Sequence, residues 1–242
     1  TAGAQTGHRD RQTSPDGLGR KCVFLFLRQN LPLQPASSVT RHLTAFGHLQ
    51  WLALGISPGN LYYHYSGKDG ILSGVFTHCY RELAGMLAAP ILEETFLEHS
   101  NPLERSWLFL TVLMEAMYEY RFLYLNQSDL MQRYPEIDRG MRRLTSLKRQ
   151  ATSRLAAAIL ASVDISAHPK RLDHVADSMA MTLMFWLSFE QLTGTPQSPQ
   201  QTIHRTVLQV LSHCAPYLGD QQSAFYRECE LIDARLLDTQ SP

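Results

Sequence analysis

The sequence of 242 residues has no long apolar run, no paired cysteines and no excess of charge of either sign. Its longest apolar stretch, residues 107–114, is far shorter than the roughly 20 residues that cross a membrane, so we expect no membrane span. The four cysteines stand singly, without C-x-x-C spacing, which disfavours zinc ribbons and redox pairs and predicts reduced thiols in the cytoplasm. Because 22 basic residues balance 22 acidic ones, we do not expect indiscriminate binding to nucleic acid.

Glutamate is absent before Glu82, although it is among the residues that commonly fill exposed helix faces. Residues 1–54 also contain two helix-breaking clusters, "SPDGLG" at 14–19 and "LPLQPASS" at 31–38, and six basic residues against two acidic ones. We therefore expect residues 1–30 to be irregular or disordered, and residues 1–54 to be atypical of the rest of the chain.

From Ser66 onward the apolar residues recur at intervals of three and four, which predicts amphipathic helices. The expected helices begin near residue 67 and then cover about 102–126, 137–162, 170–192 and 201–217. No alternating strand pattern and no internal repeat are visible, so the predicted fold class is all-α. Scattered histidines without an i, i+4 pair and a third acidic ligand predict neither a metal nor a cofactor.

The string Gly55-Ile-Ser57-Pro58-Gly59 has two interpretations. It matches the Gly-x-Ser-x-Gly elbow of serine hydrolases, but that elbow requires a strand before it and βα units around it, and no sheet is visible here. Alternatively, Ser57 caps a short helix with Pro58 at its first position, where a missing N–H costs nothing. Lys68 then lies in the first turn of the next helix, an unfavourable place for a cation unless an anion such as phosphate binds there.

The stretch "GISPGNLYYHYSGKDGIL", residues 55–72, resembles the end of the helix-turn-helix of TetR-family transcriptional regulators. Asn60 to His64, and more loosely residues 120–137, resemble the regulators of polyhydroxyalkanoate loci within that family. The resemblance implies a turn at Gly55, inward packing of Leu61 and Tyr65, and a role in DNA binding for Ser57, Gly59, Asn60, Tyr62, Tyr63, His64 and Lys68.

The resemblance also implies an amino-terminal DNA-binding domain over 31–85, an effector-binding and dimerisation domain over 86–220, and a tail over 221–242. Homodimerisation is expected through the helices near 170–192 and 201–218, which places two reading helices one DNA turn apart on a palindromic operator. An apolar or acyl-type effector is expected among the aromatic and methionine residues of the middle helices, although each of these can also be plain core. The candidates are Trp107, Met114, Met117, Tyr118, Phe122, Tyr124, Phe185 and Phe189.

Upstream of Gly55 the resemblance fails, because prolines 32 and 35 would interrupt the first helix that such a reader needs. The abrupt resumption of the motif at Gly55 suggests a frameshift in the source sequence, which would leave the recognition helix poorly supported and DNA binding weak. Genuine divergence or an artefact of the expressed sequence is the alternative.

We predict a cytoplasmic, non-enzymatic, ligand-responsive repressor. The alternatives are a helical binding protein that has lost DNA binding and, more remotely, a hydrolase that uses Ser57.

Overall fold

The computed structural model describes residues 67–89, 101–163, 169–194 and 198–238. Within these ranges it contains α-helices, two short 3₁₀ turns and no strand, which confirms the predicted all-α class. The chain divides into two compact units, with the main boundary after Val75. All described residues from Phe76 onward belong to the second unit. None of the described helices is long and apolar enough to cross a membrane.

Helix α1, Gly67–Ala88, carries a buried apolar stripe. Phe76, Cys79, Leu83 and Leu87 recur at intervals of three and four and are buried, as the periodicity predicted. Its carboxyl end is capped from a distant helix, because Arg154 Nη2 donates to the Leu87 carbonyl at 2.9 Å.

Two helices replace the single one predicted over 102–126, and a third follows where none was predicted. Helix α2 covers Pro102–Glu119, α3 covers Arg121–Leu125 and α4 covers Gln127–Arg133. Helix α2 begins with Asn101 as a capping residue, whose side chain accepts from the Glu104 N–H at 2.8 Å. It ends at Tyr120, whose N–H bonds to the Met117 carbonyl three residues back, so the chain turns more tightly there than in an α-helix.

Helices α5, Pro135–Ala161, and α6, Pro169–Thr193, form the most extensive pair, and each end lies within one or two residues of the predicted window. Arg149 of α5 pairs with Asp177 and, at 3.4 Å, with Asp173 of α6. Helices α1 and α5 approach closely at Gly140, where an added Cβ would lie 2.5 Å from the Phe76 ring.

Helix α7, Pro199–Ser212, opens with a capping box between Ser198 and Gln201 and packs against α2 and α6. The two helices that we associated with dimerisation each carry a row of apolar residues, and these rows are largely core of this chain. On α6 they bury Val175, Met179 and Leu183, and on α7 and the turn after it they bury Ile203, Val207, Val210, Cys214 and Leu218. These residues are therefore not available to a second subunit.

Residues 221–242 were predicted as a tail, and the structure places a helix there. Helix α8, Gln222–Asp238, packs against α2 and buries Phe225, Cys229 and Ile232. The spacing of those three residues, four and then three, is the ordinary signature of an amphipathic helix. Arg235 of α8 also lies 3.4 Å from Glu104 of α2, so this terminal helix belongs to the body of the domain.

Candidate functional site

The predicted DNA-reading residues fall almost wholly outside the described part of the chain. Ser57, Gly59, Asn60, Tyr62, Tyr63 and His64 lie there. Lys68 lies in the first turn of α1, as the sequence predicted, next to Asp69 in the same turn. The roles of all seven residues stay predictions.

The predicted ligand-binding residues separate into three groups. Five of them, Trp107, Met114, Met117, Phe122 and Tyr124, are buried in the core. Tyr118 is partly exposed, with the Arg121 guanidinium 4.9 Å from its ring centroid. Phe185 and Phe189 are about half exposed on the outer side of α6. The structure therefore does not bring the predicted set together around one cavity.

A lysine that the sequence analysis missed lies among the buried group. Lys148 of α5 is fully buried, and its Nζ lies 3.0 Å from the Tyr124 hydroxyl and 3.2 Å from the Met184 sulfur. The ammonium also lies 4.4 Å from the centroid of the Tyr124 ring, within range of a cation–π contact. Among the described residues, its hydrogen-bonding partners are a phenol and a thioether, and no carboxylate pairs with it.

We call Lys148 and its neighbours Tyr124, Met184 and Cys79 the Lys148 core. The electrostatics of this core follow from its burial. Desolvation lowers the pKa of Lys148 to about 7, and the nearby Cys79 opposes that shift only in part. Desolvation likewise raises the pKa of the Cys79 thiol to about 12 and moves the pKa of Tyr124 well above its ordinary value. Near neutral pH the thiol and phenol stay protonated, so Lys148 is the group of this core that changes charge.

A second polar contact joins α1 to the same region. The Tyr120 hydroxyl donates to Glu82 Oε2 at 2.6 Å and lies 3.1 Å from His78 Nδ1. Because the hydroxyl hydrogen points to the carboxylate, the imidazole is the donor in the second contact. His78 and Glu82 thus connect α1 to Tyr120 through hydrogen bonds. The buried thiol of Cys79, on the same helix, lies near Tyr124.

The outer side of α6 carries an exposed apolar stripe. Met181, Phe185, Phe189 and Leu192 follow one another at intervals of four, four and three, with exposed fractions of 59%, 51%, 50% and 86%. These intervals place all four on one side of the helix. We call this group the α6 stripe.

The fold is similar to that of a known all-α transcription regulator. The crystal structure of a TetR-family transcriptional regulator from Marinobacter aquaeolei VT8 matches with a TM-score of 0.65, at 19% identity, over 90% of this chain and 98% of that one. No curated protein matches the chain.

A family model described as TetR, bacterial transcriptional repressor, matches residues 83–226, more than half of the chain. The chain therefore belongs to the TetR family of DNA-binding transcriptional regulators, which confirms the family predicted from the sequence. That prediction rested on residues 55–72, and the family match lies wholly after them. Two separate stretches of the chain thus lead to the same family.

Proposed function

We propose that the chain is a ligand-responsive transcriptional repressor that binds a palindromic operator as a homodimer and acts in the cytoplasm. The observation that carries this proposal is the match of residues 83–226 to a family model of bacterial transcriptional repressors. Double-stranded DNA, a second copy of the chain and a small apolar or acyl-type effector are the proposed partners. We assign no reaction to the chain. The hydrolase alternative stays an untested prediction, because Ser57 lies outside the described residues.

The α6 stripe supports the homodimer. Contiguous apolar surface on a soluble protein commonly marks an interaction site, and a two-fold axis brings the same stripe of a second copy against it. Helix α6 is one of the two helices through which we predicted dimerisation, but we now assign the contact to its outer side, since Val175, Met179 and Leu183 pack inside the chain.

The Lys148 core supports the effector site. A buried lysine without a carboxylate partner is costly, and such groups concentrate at functional sites. The carbonyl or carboxylate oxygen of an acyl compound would give Lys148 and Tyr124 a better acceptor than the Met184 thioether, while Met114, Met117 and Phe122 offer apolar surface. An effector that fits here and weakens DNA binding must itself be weakened by DNA to the same degree.

The DNA-binding part of the proposal is tested by selecting bound sequences from a pool of random duplexes with the purified chain. We expect enrichment of an inverted repeat whose half-sites are about 10 base pairs apart, centre to centre. Absence of any enriched motif would support the alternative of a helical binding protein that has lost DNA binding. A parallel selection with a chain in which the upstream reading frame has been restored separates that alternative from a frameshift.

The effector part is tested by native mass spectrometry of freshly purified protein, followed by a thermal-shift screen of acyl compounds. Lys148→Met replaces the side chain by an unbranched apolar one that is a single atom shorter and has no donor, so we expect it to abolish the shift caused by a carboxylate-bearing hit. If no species copurifies and no compound shifts the transition, the aromatic residues are plain core.

A further inference from the structure

A half-open cleft of about 400 Å³ lies between α2, α7 and α8, apart from the Lys148 core. Its lining includes Trp107 of α2, Gln201, His204 and Leu208 of α7, and Cys229 and Asp233 of α8. Tyr124, Lys148 and Met184 do not line it. The volume lies within the range of pockets that hold small organic molecules.

Trp107 is the side chain that indicates a ligand. It is 1% exposed, and its indole Nε1 has no hydrogen-bond partner among the described residues. A buried indole N–H without an acceptor is unusual and unfavourable, because buried polar groups are nearly always paired. By contrast, Trp186 has its Nε1 3.1 Å from Glu190 Oε1 and is satisfied within the protein.

The other lining groups are apolar wall, side chains that already have a partner, and exposed polar side chains. Arg205 of α7 has its Nη1 3.4 Å from Glu190 Oε1, and Ser198 and Glu230 are exposed. Leu208 and Cys229 form apolar wall, and burial keeps the Cys229 thiol protonated by raising its pKa to about 12. The Asp233 carboxylate accepts from His204 Nδ1, which fixes the imidazole in the tautomer with its hydrogen on Nδ1. Gln201 Oε1 accepts the Ser198 backbone N–H at 3.0 Å, so the amide of that side chain has only its NH₂ donor left to offer.

We propose that this cleft is a second small-molecule site, which takes an apolar molecule through a carbonyl-type oxygen that accepts the Trp107 indole N–H. The oxygen belongs either to a neutral ketone or ester or to a carboxylate, and both supply the same acceptor. The proposal is independent of DNA binding and of the effector site in the Lys148 core.

The test uses protein labelled with ¹⁵N-tryptophan and three probes of nearly equal shape. Acetophenone carries a carbonyl oxygen, α-methylstyrene replaces that oxygen by CH₂, and benzoate carries a carboxylate. The chain has three tryptophans, so the indole N–H resonances are few. Trp107→Phe assigns the resonance of interest, and the Trp186 indole N–H, which already has an acceptor, is the internal control.

We expect acetophenone or benzoate to shift the Trp107 resonance downfield and to bind about 3- to 10-fold more tightly than α-methylstyrene. The preference for acetophenone should disappear in Trp107→Phe, whereas tight benzoate binding that persists in this variant would come from the Arg205 guanidinium that also lines the cleft. Equal binding of α-methylstyrene, or no movement of the Trp107 resonance with any probe up to its solubility limit, overturns the proposal. If Trp107→Phe does not fold, the probe comparison on the unaltered chain still decides, with Trp51→Phe and Trp186→Phe assigning the resonance by elimination.

Discussion

Replacement of Lys148 by methionine should remove a pH dependence of stability that this one side chain creates. In the folded protein burial holds the pKa of Lys148 at about 7, whereas in the unfolded chain it returns to its ordinary value of 10.5. Between these two values the unfolded chain holds a proton that the folded protein does not. The free energy of unfolding therefore rises with pH across that window.

The magnitude follows from the two pKa values. Each pH unit within the window contributes up to about 1.4 kcal/mol, and the slope develops gradually around pH 7, where Lys148 is half charged in the folded state. From pH 7 to pH 9 Lys148 by itself contributes a gain of about 2 kcal/mol. The buried thiols act in the opposite sense from about pH 8 upward and offset roughly half of that gain by pH 9, because Cys79, Cys214 and Cys229 have pKa values raised from 9.0 to about 12 and stay protonated only in the folded protein.

The assay is urea unfolding followed by circular dichroism at pH 7, 8 and 9, at one ionic strength, one protein concentration and under reducing conditions. The unaltered chain should gain stability with pH, and Lys148→Met should lose that gain while being at least as stable as the unaltered chain at pH 7. Lys170→Met, at an exposed position of α6, is the matched control and should keep the slope. Equal slopes in the unaltered chain and in Lys148→Met would show that Lys148 is not held in a low-dielectric core.

Three further predictions concern the dimer and DNA. Phe185→Glu should raise the dimer dissociation constant roughly 10- to 100-fold in sedimentation experiments, because it removes an apolar contact and introduces charge. The control Gln191→Glu, at an exposed position of the same helix, should change that constant little. An unchanged dimer in Phe185→Glu would place the interface elsewhere. Tyr63→Ala should weaken specific DNA binding by about 1–3 kcal/mol, whereas Lys68→Ala should weaken binding to all DNA sequences alike and lower the salt slope by roughly one unit. Unchanged DNA affinity in both variants would remove these residues from the interface. Translation of the two other frames upstream of Gly55 should yield a helix with an Ile-Leu…Leu-Phe stripe; if neither frame does, and hydrogen exchange finds protected amides across residues 20–54, the frameshift hypothesis is wrong.

Helical periodicity predicted the long helices well, because it depends on local spacing. Helix α6 was expected over 170–192 and covers Pro169–Thr193, and its apolar residues alone indicate that range. The turn at Tyr120 was not predicted, since the buried ring and its bond to Glu82 depend on a helix 38 residues away. Helix α8 was missed although the spacing of Phe225, Cys229 and Ile232 carried the signal.

The candidate sites were less accessible from sequence. Lys148 follows Met141 and Leu144 on the buried stripe of α5, yet a lysine in that position is usually exposed. Its burial depends on Tyr124 and Met184, which lie 24 and 36 residues away in the chain. The half-exposed position of Phe185 was not evident from the sequence for a related reason. Helix α6 has apolar residues on both its inner and outer sides, and only the packing of α5 and α7 decides which side is core.

We expect two copies of this chain to bind one operator together. Sedimentation velocity of the protein with a duplex that carries the selected inverted repeat measures this directly, beside a duplex with one half-site scrambled. We expect two chains on each intact duplex and binding at least tenfold weaker to the half-site duplex. A stoichiometry of one chain on each duplex would contradict the homodimeric binding. Equal affinity for the intact and scrambled duplexes, measured with the chain whose upstream reading frame has been restored, would contradict it too.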